Sequence, residues 1–207
     1  MNEKAMFKLS YGLFVLTAKE GEKDNGCIIN TATQVTSSPN RISIAVNKAN
    51  LTHDMIVNTK AFTISVLSEA ADFEVFKRFG FQSGSNTDKF AGYDGMKRGE
   101  NGIYYVTEGT NAYISAKVEQ IIDLGSHSLF IAAVTDMDLL SDVPSATYDY
   151  YHKNIKPQPK KSEEASTGKT VWRCKICGYE YEGEELPEDF ICPLCKHPAS
   201  DFEKVVL

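Results

Sequence analysis

The sequence has no apolar run near the roughly 20 residues that a helix needs to cross a bilayer. Its first residues, Met1-Asn2-Glu3-Lys4-Ala5, lack the apolar stretch and cleavage site of a secretory signal. The expectation is a cytoplasmic protein with no membrane partner. Cysteine is scarce, and four of the five fall after residue 173 while Cys27 stands alone, which suits a reducing compartment better than a disulfide framework. Nucleotide fingerprints are missing: no G-x-G-x-x-G joins a strand to a helix and no G-x-x-x-x-G-K-S/T occurs, so Rossmann and P-loop readings have no footing. Also absent are a local Ser/His/Asp motif, an internal repeat, and any low-complexity tract beyond one linker. Positive charge is not in excess. The formal net charge is −6, and residues 171–207 carry four Lys or Arg against eight acids. An acidic module argues against nucleic acid; it suits either steering toward a basic patch on a protein partner or plain solubility.

What is present begins with the cysteines. Cys174-x-x-Cys177 and Cys192-x-x-Cys195 are two knuckles with fourteen residues between them, a spacing that can set four thiolates at the corners of a tetrahedron around one metal ion. Spacing alone leaves zinc and iron both open. A structural zinc ribbon would use the same ligands to fold a short segment. The surrounding residues are Gly178, Tyr179, Tyr181, Pro187, Phe190, Pro193 and Phe202. With the cysteines they make a run that resembles the rubredoxin family, in a form with a shortened stretch between the knuckles. The resemblance implies a mononuclear Fe(Cys)₄ centre held by Cys174, Cys177, Cys192 and Cys195. Trp172, Tyr179, Tyr181, Phe190 and Phe202 can enclose the sulfurs in a dry shell, and such burial tunes an iron–sulfur potential.

Upstream, residues 153–169 are rich in Pro, Lys, Ser, Glu and Gly and nearly without large apolar side chains. That composition is a flexible linker, with a root-mean-square span of about 20–25 Å. The expected organisation is a first domain over 1–152, a linker over 153–169 and a metal-binding domain over 170–207. The hydrophobic fraction of 42% is that of an ordinary globular chain, so the first domain can hold one conventional core.

The first domain reads as many short strands with few helices, a barrel or sandwich pattern. A short helical face over Asn2 to Leu9 stops at Gly12. Strands are expected over Leu13–Ala18 and Cys27–Val35, joined as a hairpin through the turn-rich Glu20–Gly26. Others are expected over Arg41–Val46, Ala61–Leu67, Ile103–Val106, Ala112–Leu124 and His127–Leu139, the last two meeting at Gly125-Ser126. Helices are expected from Asn50, as cap, and over Asp72–Phe79. Gly80 to Gly102 is long for a connection and reads as a functional loop. Tyr148, Tyr150 and Tyr151 suggest a docked terminal segment, and Cys27 a buried strand residue.

One region offers what a phosphate needs. Asn30-Thr31-Ala32-Thr33-Gln34-Val35-Thr36-Ser37-Ser38-Pro39 and Asn47-Lys48-Ala49-Asn50-Leu51-Thr52-His53 combine small hydroxyls, a helix start and a cation. These runs, with Tyr11-Gly12-Leu13, Phe79-Gly80-Phe81-x-Ser83-Gly84, Asp88-Lys89-Phe90 and Gly125-Ser126-His127-Ser128-Leu129-Phe130, are similar to the flavin reductase family of split β-barrel flavoproteins. The resemblance covers about residues 1–152. It implies a mainly β fold with short helices, an FMN-binding split β-barrel followed by the rubredoxin-like domain, bound FMN, a homodimer, and NADH or NADPH as donor. By position, Asn30, Thr31 and Ala32 would line the isoalloxazine. Thr36, Ser37, Asn47, Lys48, Thr52 and His53 would surround the phosphate, and Phe81, Ser83 and Gly84 would belong to a closing loop. His127 would meet nicotinamide or flavin, or stand as an ordinary surface histidine. His53 would touch the phosphate or cap its helix. The implied activity is an NAD(P)H-dependent flavin/rubredoxin oxidoreductase. Fused flavin reductase–rubredoxin proteins suggest a flavodiiron protein or a peroxide-reducing enzyme as acceptor. The alternative is a free-flavin or ferric reductase with an accessory, even zinc-holding, module.

Overall fold

The computed structural model describes residues 2–157, 170–175, 179–192 and 198–206. The chain divides into two compact units, Met1–Ile155 and Lys156–Leu207. After a 3-10 helix (Glu3–Lys8), the first unit forms β1 (Phe14–Glu20), β2 (Lys23–Ile29), β3 (Thr33–Ser37) and β4 (Asn40–Asn47). Next come α1 (Leu51–Thr59), β5 (Ala61–Leu67), α2 (Phe73–Gly80), β6 (Met96–Arg98) and β7 (Tyr104–Val106). The unit ends with β8 (Thr110–Asp123), β9 (His127–Leu139) and α3 (Tyr148–Tyr150). Seven strands pair in the order β2-β1-β5-β8-β9-β4-β3, antiparallel throughout.

The central strands are covered on both faces, which is why Leu13 to Ala18 reads as a continuous apolar run rather than an alternating one. On one face Leu16, Ala18, Ile44, Val46, Phe62, Ile64 and Phe130 pack with Met55 and Ile56 of α1. On the other, Leu13, Val15 and Leu67 meet Val75, Phe76 and Phe79 of α2, together with Phe90, Val106 and Tyr151. Each large side chain so buried is worth about 1.5–3 kcal/mol. As expected, the tyrosine segment is docked: Thr147 bridges Gly12, and the Tyr151 ring lies 4.4 Å from that of Phe76. Residues 153–155, read from sequence as linker, continue this turn as part of a π-helix over Tyr151–Ile155. Of the rest of the expected linker, residues 158–169 lie outside the described residues.

Three sequence expectations are corrected. The expected turn over Glu20–Gly26 is only Gly21-Glu22, because Lys23 to Gly26 already pair with β1. Their charge and polarity are those of a strand whose Asp24 is paired with Arg98. The expected strand over Cys27–Val35 is broken at 30–32 into β2 and β3. Asn50 precedes α1 but makes no side-chain cap hydrogen bond, whereas Asp72 accepts from the Glu74 amide at the start of α2.

In the second unit β10 (Thr170–Cys174) is central, flanked by β11 (Glu180–Glu182) and β12 (Phe202–Val206). Phe190 is the hub of its interior, 4.8 Å from the ring of Tyr181 and 5.4 Å from that of Phe202.

Candidate functional site

The break between β2 and β3 is made by one hydroxyl. Thr31 is in register with Ala45 of β4, but its Oγ1 donates to the Ala45 carbonyl at 2.7 Å and accepts from the Ala45 amide at 3.1 Å. The side chain thus takes over one rung of the ladder and lets the backbone of Asn30 to Ala32 leave the sheet. Two residues past Ala45, Asn47 ends β4 opposite His127 of β9. The Asn47 Oδ1 accepts from the Ala49 amide at 2.9 Å, which turns the chain into α1. The Lys48 amide donates to the Ser126 carbonyl at 3.0 Å, so the start of α1 and the β8–β9 turn are one construction.

The charges here are paired. Lys48 Nζ lies 2.6 Å from Asp123 Oδ1, and Lys48, helped by the Gly125 amide, holds the Asp123 carboxyl below the usual carboxylate range. The His127 Nδ1 is 2.9 Å from Ser126 Oγ. Thr52 is fully buried and its Oγ1 accepts from Asn25 Nδ2 at 3.0 Å, so its hydroxyl faces inward. His53 is also buried. Its Nε2 is 2.9 Å from Ser128 Oγ, its Nδ1 2.8 Å from Asp54 Oδ1, and its ring meets Phe130 edge-on. The expectation that His53 touches phosphate or caps the helix is replaced by a role as an internal tie between α1 and β9. Asn50 makes no side-chain cap hydrogen bond, so the dipole-positive end of this nine-residue helix, next to Lys48, has no side-chain cap from Asn50, and such an end favours negative charge.

One expected grouping is split. Thr36 and Ser37 pair with the beginning of β4, Arg41 and Asn40, while Asn47 and Lys48 follow at its other end. Six to seven residues at about 3.4 Å each put roughly 20–24 Å between them, too far for one phosphate to meet both sets in one chain. Thr36 Oγ1, moreover, donates to the Pro39 carbonyl at 2.6 Å. Phe81 packs against Phe73. Gly84 lies instead directly over Asn25, which brings the loop to Thr52. Asn25, Asp123 and Ser128 were not singled out from sequence. Asn25 sat in a stretch read as turn, and no composition signal marks it.

In the second unit Cys174 and Cys192 are buried, and the Cys174 amide donates to the Tyr179 carbonyl at 2.8 Å. Phe202 stands opposite Cys174 in the β10–β12 ladder, and Phe190 joins it to Tyr181. Two interior thiols beside an aromatic cluster fit a thiolate-held metal. Cys177 and Cys195 lie outside the described residues.

Residues 6–158 match the flavin reductase like domain. The chain belongs to the flavin reductase like family. Residues 172–203 match a second family, the rubredoxin-like domain of rubrerythrin. A high molecular weight rubredoxin of Moorella thermoacetica is 36% identical over 99% of this chain and all of that one. A ferric-chelate reductase (NAD(P)H) of Archaeoglobus fulgidus is 38% identical over 73% of this chain and 89% of its own. Among solved structures, the NADH:FAD oxidoreductase of Streptomyces globisporus in complex with NAD and FAD fragments shares the fold. Its TM-score is 0.64 at 20% identity, covering 77% of this chain and 92% of that one. This member of the flavin reductase like family is an NAD(P)H-dependent oxidoreductase with a flavin-binding unit and an iron-binding rubredoxin-like unit.

Proposed function

We propose that the chain passes electrons from a reduced nicotinamide nucleotide through its first unit to its second, and on to a partner redox protein. The observation that carries this reading is the pairing, in one chain, of an uncapped helix start beside Lys48 and His127 with two buried cysteines in an aromatic cluster. Bound FMN supplies two-electron acceptance with one-electron release, and iron held by Cys174, Cys177, Cys192 and Cys195 supplies a one-electron outlet. The protein supplies position. The first-turn amides of α1 and Lys48 hold the phosphate, and the backbone of Asn30, Thr31 and Ala32, released from the ladder, meets the polar edge of the ring. Thr36 and Ser37 lie outside this phosphate site in the same chain. His127, opposite Asn47, borders the nicotinamide, and the loop of Phe81, Ser83 and Gly84 closes the side facing β2. No dedicated acid or base is required. The working form is a homodimer, and the acceptor is a flavodiiron protein or another enzyme that reduces O₂, NO or peroxide.

Anaerobic stopped flow with NADH tests the route. Flavin absorbance should bleach first and the iron bands fade after it, with no flavin added. Iron reduction that requires added free flavin would overturn it. A second reading, a reductase acting on free flavin or ferric chelates, is favoured by the Archaeoglobus relative, which matches over 152 residues, no more than the length of the first unit. It wins if Cys174→Ser, which disables the metal site, leaves turnover with the physiological acceptor intact.

A further inference from the structure

We infer that Asn25 is a positioning residue: it clasps the loop carrying Ser83 and Gly84 to the first turn of α1, so that the two walls of the phosphate site move as one. This rests on the flavin reading above. Asn25 lies in β2, only 3% exposed, and its Nδ2 donates to Thr52 Oγ1 at 3.0 Å. The opposite side of its amide is covered by Gly84. A Cβ on residue 84 would stand 2.1 Å from Asn25 Oδ1 and 2.5 Å from both Cγ and Nδ2, so the amide plane lies flat against the glycine. Any side chain at 84 must swing the whole amide, and a buried amide has nowhere to swing without leaving Thr52.

The far end of the same loop is anchored on the next residue of the same strand. Lys89 Nζ donates to the Gly26 carbonyl at 2.7 Å and to the Phe79 carbonyl at 3.1 Å. Loop and helix start are therefore both referenced to Asn25-Gly26 of β2. From the other side His53 holds α1 to Ser128 of β9, next to His127. A helix turn gripped from both flanks presents its amides at a fixed place, which is what anion recognition by backbone N–H groups requires.

The full-length chain tests this with FMN itself, by flavin fluorescence titration of Asn25→Ala, Gly84→Ala and the double variant. Each single change should weaken FMN binding about tenfold, the size of one lost buried hydrogen bond. The double variant should bind no worse than the weaker single, because both changes break the same clasp. Thr52→Val should match Asn25→Ala, while Thr52→Ser, which keeps the hydroxyl, should stay near the wild type; this pair decides the matter if Asn25→Ala does not fold. Unchanged affinity in the single variants, losses that multiply in the double, or wild-type binding by Thr52→Val would each overturn the inference. Failure of the wild-type chain to bind FMN would instead sink the flavin reading. The clasp is then judged on the FMN-free chain by hydrogen exchange: amides of loop 81–89 and of the first turn of α1 should exchange faster in Thr52→Val than in Thr52→Ser, and equal rates would overturn it.

Discussion

Lys89 places a cation inside the first unit, 3% exposed, with main-chain carbonyls as its acceptors. Burial pushes its ammonium below the ordinary lysine range of 10.5, with the nearby Cys27 sulfur pulling the other way. Burial likewise pushes the Cys27 thiol up, against the opposing contacts of Thr52 and Lys89. A lysine depressed in the fold holds fewer protons than the unfolded chain between its folded value and 10.5. Stability therefore rises with pH across that window and is lost as pH falls through the folded value. Lys89→Met should destabilise the first unit by roughly 1–3 kcal/mol near neutral pH, because the Gly26 and Phe79 carbonyls lose their donor. In urea unfolding the gap to the wild type should widen toward about pH 9.5; a constant gap would mean that this proton is not linked to folding. At this scale the sequence was partly legible. Asn47, Lys48 and Thr52 could be named because helix starts and cations carry a chemical pattern. Asn25 and Ser128 could not, because an amide or hydroxyl that bridges two buried elements looks in sequence like any turn or strand residue. His53 was legible as important and illegible in its role: nothing in a Thr-His pair says that one ring nitrogen turns inward to Ser128 while the other meets the neighbouring Asp54.

The two longer helices of the first unit start differently, and that contrast is measurable. Asp72 accepts from the Glu74 amide at 2.8 Å, whereas Asn50 makes no side-chain cap bond to α1. Asp72→Ala should cost about 1 kcal/mol in urea unfolding and Asn50→Ala only a few tenths. Equal costs would contradict the reading of the α1 start as a site kept open for an anion. Between β7 and β8, Gly109 has a φ of +66°, and a Cβ there would stand 2.7 Å from the Ala71 backbone. Gly109→Ala should therefore cost more than about 1 kcal/mol, through strain and clash together. The elements that sequence located well, β5 and β9 among them, have apolar faces that packing requires. The break at 30–32 was missed because Asn-Thr-Ala between β-prone neighbours carries no breaker; the interruption is made by hydrogen bonds of Thr31 to Ala45, fourteen residues on in β4. The start of β2 was missed because its charges, paired across the sheet face as in Asp24 with Arg98 at 2.8 Å, imitate a solvated turn.

At the scale of the whole chain, the concentration of acid in the C-terminal stretch implies two unlike dependences on salt. Residues 171–207 carry a net of four negative charges out of the chain's six. Among the described residues Glu182, Glu184, Glu185, Glu188 and Asp189 are exposed within one short stretch beside β11. In the proposed function the nicotinamide half-reaction uses the site beside Lys48, whose charge is already paired with Asp123 at 2.6 Å, so little net field would draw the donor in. Delivery from the acidic stretch 171–207 to the proposed protein acceptor, if that acceptor presents a basic face, would be a long-range encounter, screened once the Debye length falls from about 10 Å at 0.1 M salt toward about 3 Å at 1 M. Raising ionic strength across that range should lower the second-order rate of acceptor reduction about tenfold or more. The rate of flavin bleaching by NADH should change less than about twofold. Stopped flow reads both phases in one experiment. Equal salt dependence of the two would mean that the acidic stretch serves solubility alone. Charge reversal at Glu184 and Glu185, which lie outside the Phe190 cluster, should then leave acceptor reduction unaltered; if steering operates, the same change should reproduce the high-salt rate at low salt.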